Sequence, residues 1–187
     1  MNYATLLSTV ADWLHRDDLT AQIPAFIELA EERINRALRV RQMETVLAVT
    51  AITNNLITPA AGIVDVKLLW PSGYPNSEIK PQSLAMVLTG DMTSTATLYA
   101  WQATKIRFNG RGNVEGVLYS KVPSIATAGT TWLGDDHAGL YLYGALVQAA
   151  IFTKDDPTTW QALFDQAINE VNGNDQRRFG SMVARAR

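Results

Sequence analysis

Asp135, Asp136 and His137 stand side by side in the stretch "TWLGDDHAGLYLYGALV", and His137 is one of only two histidines in the chain. Carboxylates beside an imidazole can ligate a metal ion or pass a proton. A metal site, however, needs three or four ligands that converge from the fold. No second ligand motif such as HExxH accompanies the trio. Consecutive residues on a helix also point in different directions, so the three side chains do not readily face one ion. The plainer role is helix initiation. Asp135 or Asp136 caps free backbone N–H groups, and Trp132 or Leu133 packs back onto the first turn. On that reading an Asp→Ala change at either position costs about 1 kcal/mol.

Three further groups are weighed in the same way. His15 closes the first helical segment, where the helix dipole favours an imidazolium, and no Ser or Cys nucleophile motif accompanies it. The stretch "NGRGNVEG" lacks both the helix that should follow GxGxxG and the GK[ST] of a phosphate-binding loop. It reads as a hairpin turn, with Arg107 and Arg111 at a tip that can touch a partner or a phosphate. The aromatic residues Trp70, Tyr74, Tyr99, Trp101 and Tyr119 suit strand packing better than a stacking platform for a ligand.

The elements that must position these residues follow from patterning. Tyr3, Leu6, Leu7, Val10, Trp13 and Leu14 mark one face of a first helix. Arg16-Asp17-Asp18 breaks it, and Asp18 is placed to cap the next. In "LTAQIPAFIELAEERINRALRV", Ile23, Phe26, Ile27, Ala30, Ile34 and Leu38 form a single stripe, with Pro24 in the first turn. After Arg41 the composition turns β-branched. "METVLAVTAIT", "IVDVKLLW", "TATLYAW", "KIRF" and "GVLYSKV" read as strands. "PQSLAMVLTG" reads as a short helix between them, and Asn109-Gly110 as a turn joining the last two strands. Past a polar loop the helical period returns. Leu140, Tyr143, Gly144, Val147 and Ile151 share a face, and Asp156-Pro157 starts a last helix that Gly173 should stop.

The resulting expectation is an α+β protein, mainly α. Helical hairpins from both ends of the chain form a bundle, with a small antiparallel β insertion in the middle. The organisation is 1–41 helical hairpin, 42–130 β-rich insertion with a short helix, 131–173 second helical hairpin, and 174–187 basic arm. In the arm, Arg177, Arg178, Arg185 and Arg187 supply charge, and Phe179, Met182 and Val183 supply apolar anchors for a partner. The net charge of −2 argues against a generally nucleic-acid-binding chain. With no cysteine there is neither a disulfide framework nor a thiolate zinc site. No secretory signal pattern opens the chain, and no run of apolar residues is long enough to span a membrane.

Two stretches carry a resemblance. "YATLLSTVADWLHRDDLTAQIPAFIELAEERINRALRVRQMET" contains W-L-x-R-x-D-L followed by I-P-x-F-I-x-L-A-E-x-R-I-N-R-x-L-R-x-R-x-M, from Trp13 to Met43. "VLYSKVPSIATAGTTWLGDDHAGLYLYGALVQAAIFTKDDPTTWQALFDQAINEV" has an apolar strand with tyrosine, a proline-containing loop, W-L, then a histidine-led helix and D-D-x-x-x-W. Both resemble the tailed-phage adaptor proteins of the head-to-tail connector. Ala138 and Gly139 depart from that family's usual residues after the histidine, "YSKVP" has one tyrosine of a common pair, and the middle of the chain does not carry the resemblance.

The resemblance implies a structural virion subunit at the capsid vertex and neck, made and assembled in the host cytoplasm, with no active site, metal or cofactor. Its partners would be the portal protein, a tail or nozzle protein, and further copies of itself in a closed ring of about twelve. The arm of residues 174–187 would dock on the portal. Arg36, Arg39, Arg41, Arg107 and Arg111 would face the channel or neighbouring subunits, touching genomic DNA only through weak, salt-dependent phosphate contacts. Two rival readings remain: a nucleic-acid-binding module, and an enzyme with a site near Asp135–His137.

Overall fold

Asn2 opens α1 (Tyr3–Leu14) by accepting the Thr5 amide at 2.8 Å, which satisfies one of the donors a helix start leaves free. The helix closes at His15, which turns left-handed (φ 48°) while its N–H bonds to the Ala11 carbonyl. A 3-10 turn over Asp17–Gln22 leads into α2 (Ile23–Ala37), with Pro24 in its first turn. The computed structural model describes the backbone of residues 1–184 and the side chains of residues 1–175. It consists of two units, Met1–Gln42 with Val122–Arg187, and Met43–Lys121. The fold is α+β and mainly helical.

The first unit continues through two short helices, α4 (Ile125–Ala128) and α5 (Trp132–Asp136), into α6 (Ala138–Thr153) and α7 (Thr158–Ala184). The stripe expected on α2 is buried along its whole length, from Ile23 to Leu38. α6 does not behave as a one-faced helix. Leu140, Tyr141, Leu142, Ala145, Leu146, Val147 and Ala149 are all buried, whereas Ile151, expected on the apolar face, is exposed. A helix that is apolar all round belongs at the centre, and α6 packs against α1, α2, α5 and α7. Gly144 permits a close approach to α2 and α7. A Cβ there would lie 2.8 Å from the Ala30 Cβ and 3.1 Å from the Phe164 ring. α7 runs straight through Gly173. Nothing lies within 4 Å of a Cβ at that position, and a glycine in an exposed helix interior costs only about 1 kcal/mol, too little to end the helix.

The second unit holds β1 (Glu44–Ala51), β2 (Leu56–Ile57), β3 (Ile63–Pro71), β4 (Lys80–Pro81), α3 (Leu84–Leu88), β5 (Leu98–Gln102), β6 (Lys105–Phe108) and β7 (Asn113–Ser120). They form two sheets. One is antiparallel in the order β1-β7-β3, and the other runs β2-β6-β5-β4 with β4 parallel to β5. β6 and β7 therefore belong to different sheets, and Asn109-Gly110 is not a hairpin turn. Neither residue has positive φ. Instead the buried Asn109 side chain accepts the Thr97 and Leu98 amides, each at 2.9 Å, and donates to the Thr97 hydroxyl. The left-handed pair is Asn54-Asn55 (φ 53° and 59°), which returns the chain from Thr53 to Leu56 through two backbone hydrogen bonds, as a two-residue hairpin loop requires. Ile57, Leu69, Ile79, Tyr99, Ile106, Phe108, Val114 and Leu118 make this unit's core.

Candidate interaction surfaces

The Asp135-Asp136-His137 trio stands where α5 ends and α6 begins. Thr131 is the residue that caps α5: its Oγ1 accepts the Gly134 amide at 3.0 Å and shares a buried 3.1 Å hydrogen bond with the Tyr141 hydroxyl. Asp135 and Asp136 already lie inside α5, so their carboxylates are past the amides a cap must reach. Asp135 faces the Met1 amine at 3.3 Å. His137 is the hinge between α5 and α6, bonding through its own N–H to the Leu133 carbonyl at 2.8 Å, and α6 starts with no side-chain cap. Thr131→Val should therefore cost about 1–3 kcal/mol, because it removes the cap and strands the Tyr141 hydroxyl. Asp135→Ala should cost less, and chemical denaturation of the two variants gives the comparison.

The other expected caps divide. Asp18 accepts two 2.8 Å hydrogen bonds from the Arg16 guanidinium, which holds its carboxyl below the usual range. It does not cap α2, which begins at Ile23 after Gln22 without a side-chain cap. Asp156 accepts the Thr158 amide at 2.9 Å where α7 starts, and also the Thr158 hydroxyl. Those bonds lower its pKa.

Asp136 and His137 line a cleft of about 210 Å³ together with Gln42, Val171, Asn174 and Asp175. Its Asp175 carboxylate is held by Arg41 at 2.9 Å. Among the described residues, no group of three or more His, Cys, Asp or Glu side chains is arranged to hold a metal ion. Burial pushes the Tyr141 phenol beneath this segment up to about 12. Its folded-state pKa lies above the unfolded value near 10, so its contribution to stability is complete below about pH 10 and is lost as the pH rises through about 12. Unfolding free energies measured across that window should fall, with a shallower fall in Tyr141→Phe.

The arginines expected at a channel or subunit contact are split between the two units. Arg36 is exposed, Arg39 donates to the Asn35 and Leu38 carbonyls, and Arg41 is paired with Asp175. In the second unit Arg107 is fixed by Gln102 Oε1 and the Asn54 carbonyl, while Arg111 stands exposed near Asp91. The aromatic residues are likewise dispersed. Trp70 donates to Glu115 at 3.2 Å, Tyr99 is buried against Phe108, and Tyr74 is exposed. The arm residues Arg177, Arg178, Phe179, Met182, Val183, Arg185 and Arg187 lie outside the residues whose side chains are described.

Two apolar surfaces were not foreseen. On the three-stranded sheet, Val46, Val117 and Leu68 stand in one row across β1, β7 and β3. A bulge between Leu47 and Thr50 leaves Val49 on the same open face, and Val46 is 78% and Val49 58% exposed. On the helical unit, Trp13, Ile151 and Phe152 are exposed beside Trp160, Tyr143 and Phe26. In β1 the sign in the sequence is the unbroken apolar run Val46-Leu47-Ala48-Val49, which departs from strict alternation.

Among the described residues, the exposed apolar faces are the surfaces this scaffold offers to a partner. The chain matches the SU10 adaptor protein family over residues 1–186 and belongs to it. It is a structural adaptor of the phage virion, not an enzyme, and it acts with other virion components such as portal and tail. No match was found among curated proteins. Among the described residues no helix is long and apolar enough to cross a membrane.

Proposed function

We propose that the protein is one subunit of a head-to-tail connector ring that docks beneath the portal, receives the tail or nozzle, and lines part of the DNA exit channel. The observation that carries this reading is the family match along essentially the whole chain. The mechanism is geometric. Ring closure pairs each subunit's two unlike faces and leaves no open interface. About twelve copies turn a few exposed arginines such as Arg36 and Arg111 into a ring of charge. DNA slides past such a lining when the contacts are to phosphate alone, weak and salt-dependent. Residues 174–187 are the docking arm of the subunit.

Electron microscopy of portal particles mixed with the protein tests the reading. A discrete added ring is expected. Removal of residues 174–187 should abolish that ring while the rest stays folded, its melting temperature lowered only by loss of the Arg41–Asp175 pair. Particles that remain bare with the full chain would overturn the connector role, and normal rings from the truncated chain would remove the arm from it.

A further inference from the structure

The turn from α1 to α2 and the turn from α6 to α7 lie at one end of the helical unit. Trp13 meets Trp160 at 5.7 Å and Tyr143 at 6.4 Å, and Phe26 meets Phe152 at 5.5 Å. The Arg16 guanidinium is raised first by its bond to Asp18 and, more weakly, by Asp155 across the gap between the two turns. This end exposes large apolar groups, with Trp13 at 47%, Ile151 at 55% and Phe152 at 56%. Around them stand the exposed carboxylates Asp17, Asp18, Asp155 and Asp156, which outnumber Arg16 and Lys154. Arg16 is itself taken up by Asp18. Apolar anchors rimmed by charge of one sign form a docking surface for a partner of the opposite sign.

The chain carries a segment of that chemistry. Residues 176–187, "QRRFGSMVARAR", hold four arginines and no carboxylate side chain, with Phe179, Met182 and Val183 as apolar groups. A subunit cannot seat this segment on its own acidic end. α7 starts there, at Thr158, and runs away without interruption to Ala184. At 1.5 Å per residue it carries Phe179 about 30 Å and Ala184 about 40 Å from that end. The last three residues reach back by at most about 10 Å. Only another copy can bring the arm to the surface.

We infer that residues 176–187 of one copy dock on the acidic, aromatic end of the helical unit of the next copy, around Trp13, Phe152 and Asp155. The contact is head-to-tail, and repeated with a fixed rotation it closes a ring. It rests on the connector reading and names the arm's seat as the neighbouring subunit, in place of the portal itself.

The chain has no cysteine, so introduced thiols report alone. Full-length Thr159→Cys mixed with full-length Ala186→Cys can form a disulfide only between different copies. Under mild oxidation this pair should cross-link about tenfold faster than Asp135→Cys with Ala186→Cys, since α6 separates Asp135 from the acidic end by about 24 Å. The advantage should shrink in about 1 M salt, where charges are screened beyond a few ångströms. Equal rates for the two pairs would overturn the inference. A charge reversal makes the second arm of the test. Asp17→Lys with Asp155→Lys, or Arg177→Glu with Arg178→Glu and Arg185→Glu, should each lose the cross-link, and all five changes in one chain should restore it. All five sites are read in variants whose melting matches the parent, and failure of the combined chain to regain the bond would refute the pairing. Because no portal is present, a negative result leaves the connector reading standing. A chain that cross-links yet adds no ring to portal particles would sink that reading instead.

Discussion

Gly110→Ala should unfold or severely loosen the β-rich unit while the helical unit keeps its structure. A Cβ at Gly110 would lie 2.4 Å from the Ser94 carbonyl oxygen, 2.7 Å from the Ala96 nitrogen and 2.8 Å from the Ala96 Cα. All three are backbone atoms, so no side chain can swing aside. The segment around them is fixed from several directions. Arg111 N–H bonds to the Ser94 carbonyl at 2.7 Å, and Ala96 N–H to the Arg111 carbonyl. Asn55 Nδ2 donates to the Gly110 carbonyl at 2.8 Å. Asn109, one residue earlier, holds the start of β5 through two amides. Relief of the clash would have to break several of these at once. Overpacking costs about 1–3 kcal/mol even where side chains can adjust, so a backbone clash here should exceed about 3 kcal/mol, a large share of a domain's stability. Hydrogen exchange checks the result: protection should collapse in residues 94–120 and persist in α2 and α6. A variant with parent-like protection in β5 and β6 would contradict it.

Phe164→Ala should cost about 3–5 kcal/mol and act on the helical unit. Phe164 is 2% exposed and lies against Gly144, where α6 meets α2 and α7 with no room for a Cβ. Its ring also carries the Arg33 guanidinium at 4.9 Å, and Arg33 donates on to Gln161 at 2.6 Å. Truncation therefore opens a cavity beside a glycine that has no side chain to fill it, and removes the cation–π seat of a half-buried arginine. Phe164→Leu should recover most of the loss, because it fills the space while still lacking the π face. Urea denaturation of the three proteins, followed by circular dichroism at the helix band, orders them parent, Leu, Ala. Ala at or above Leu would show that α6 and α7 close up over the gap.

Helix faces were legible in the sequence because amphipathic period is a local property. The α2 stripe from Ile23 to Leu38 was buried as read, and the family motif from Trp13 to Met43 lies on the same segments. α6 misled a one-face reading because its burial is set by four neighbours, which no local window contains. Asn109-Gly110 misled for the same reason. The pair has the composition of a turn, yet what fixes it is Ser94, Thr97 and Leu98, brought in from the start of β5 and the segment before it. Asp135 and Asp136 looked like caps because they precede a long apolar run. The short helix α5, begun by Thr131, took that position first. At the surfaces, charges and apolar residues could be read as types, but which of them share a face depended on the bulge in β1 and on the meeting of two distant turns.

The bulge in β1 has a consequence for how the chain tolerates changes of length. Leu47 and Thr50 both pair on the covered side of the sheet, opposite Gly116 and Val114, with two residues between them where regular alternation needs one. Loss of one of the two leaves Leu47 inward, the survivor outward and Thr50 inward, so the phase of the whole strand is kept. Loss of a residue anywhere else in β1 turns every later side chain to the opposite face. Ala48-Val49 is thus the one point in that strand where the chain can shorten by a residue without exchanging its covered and open faces.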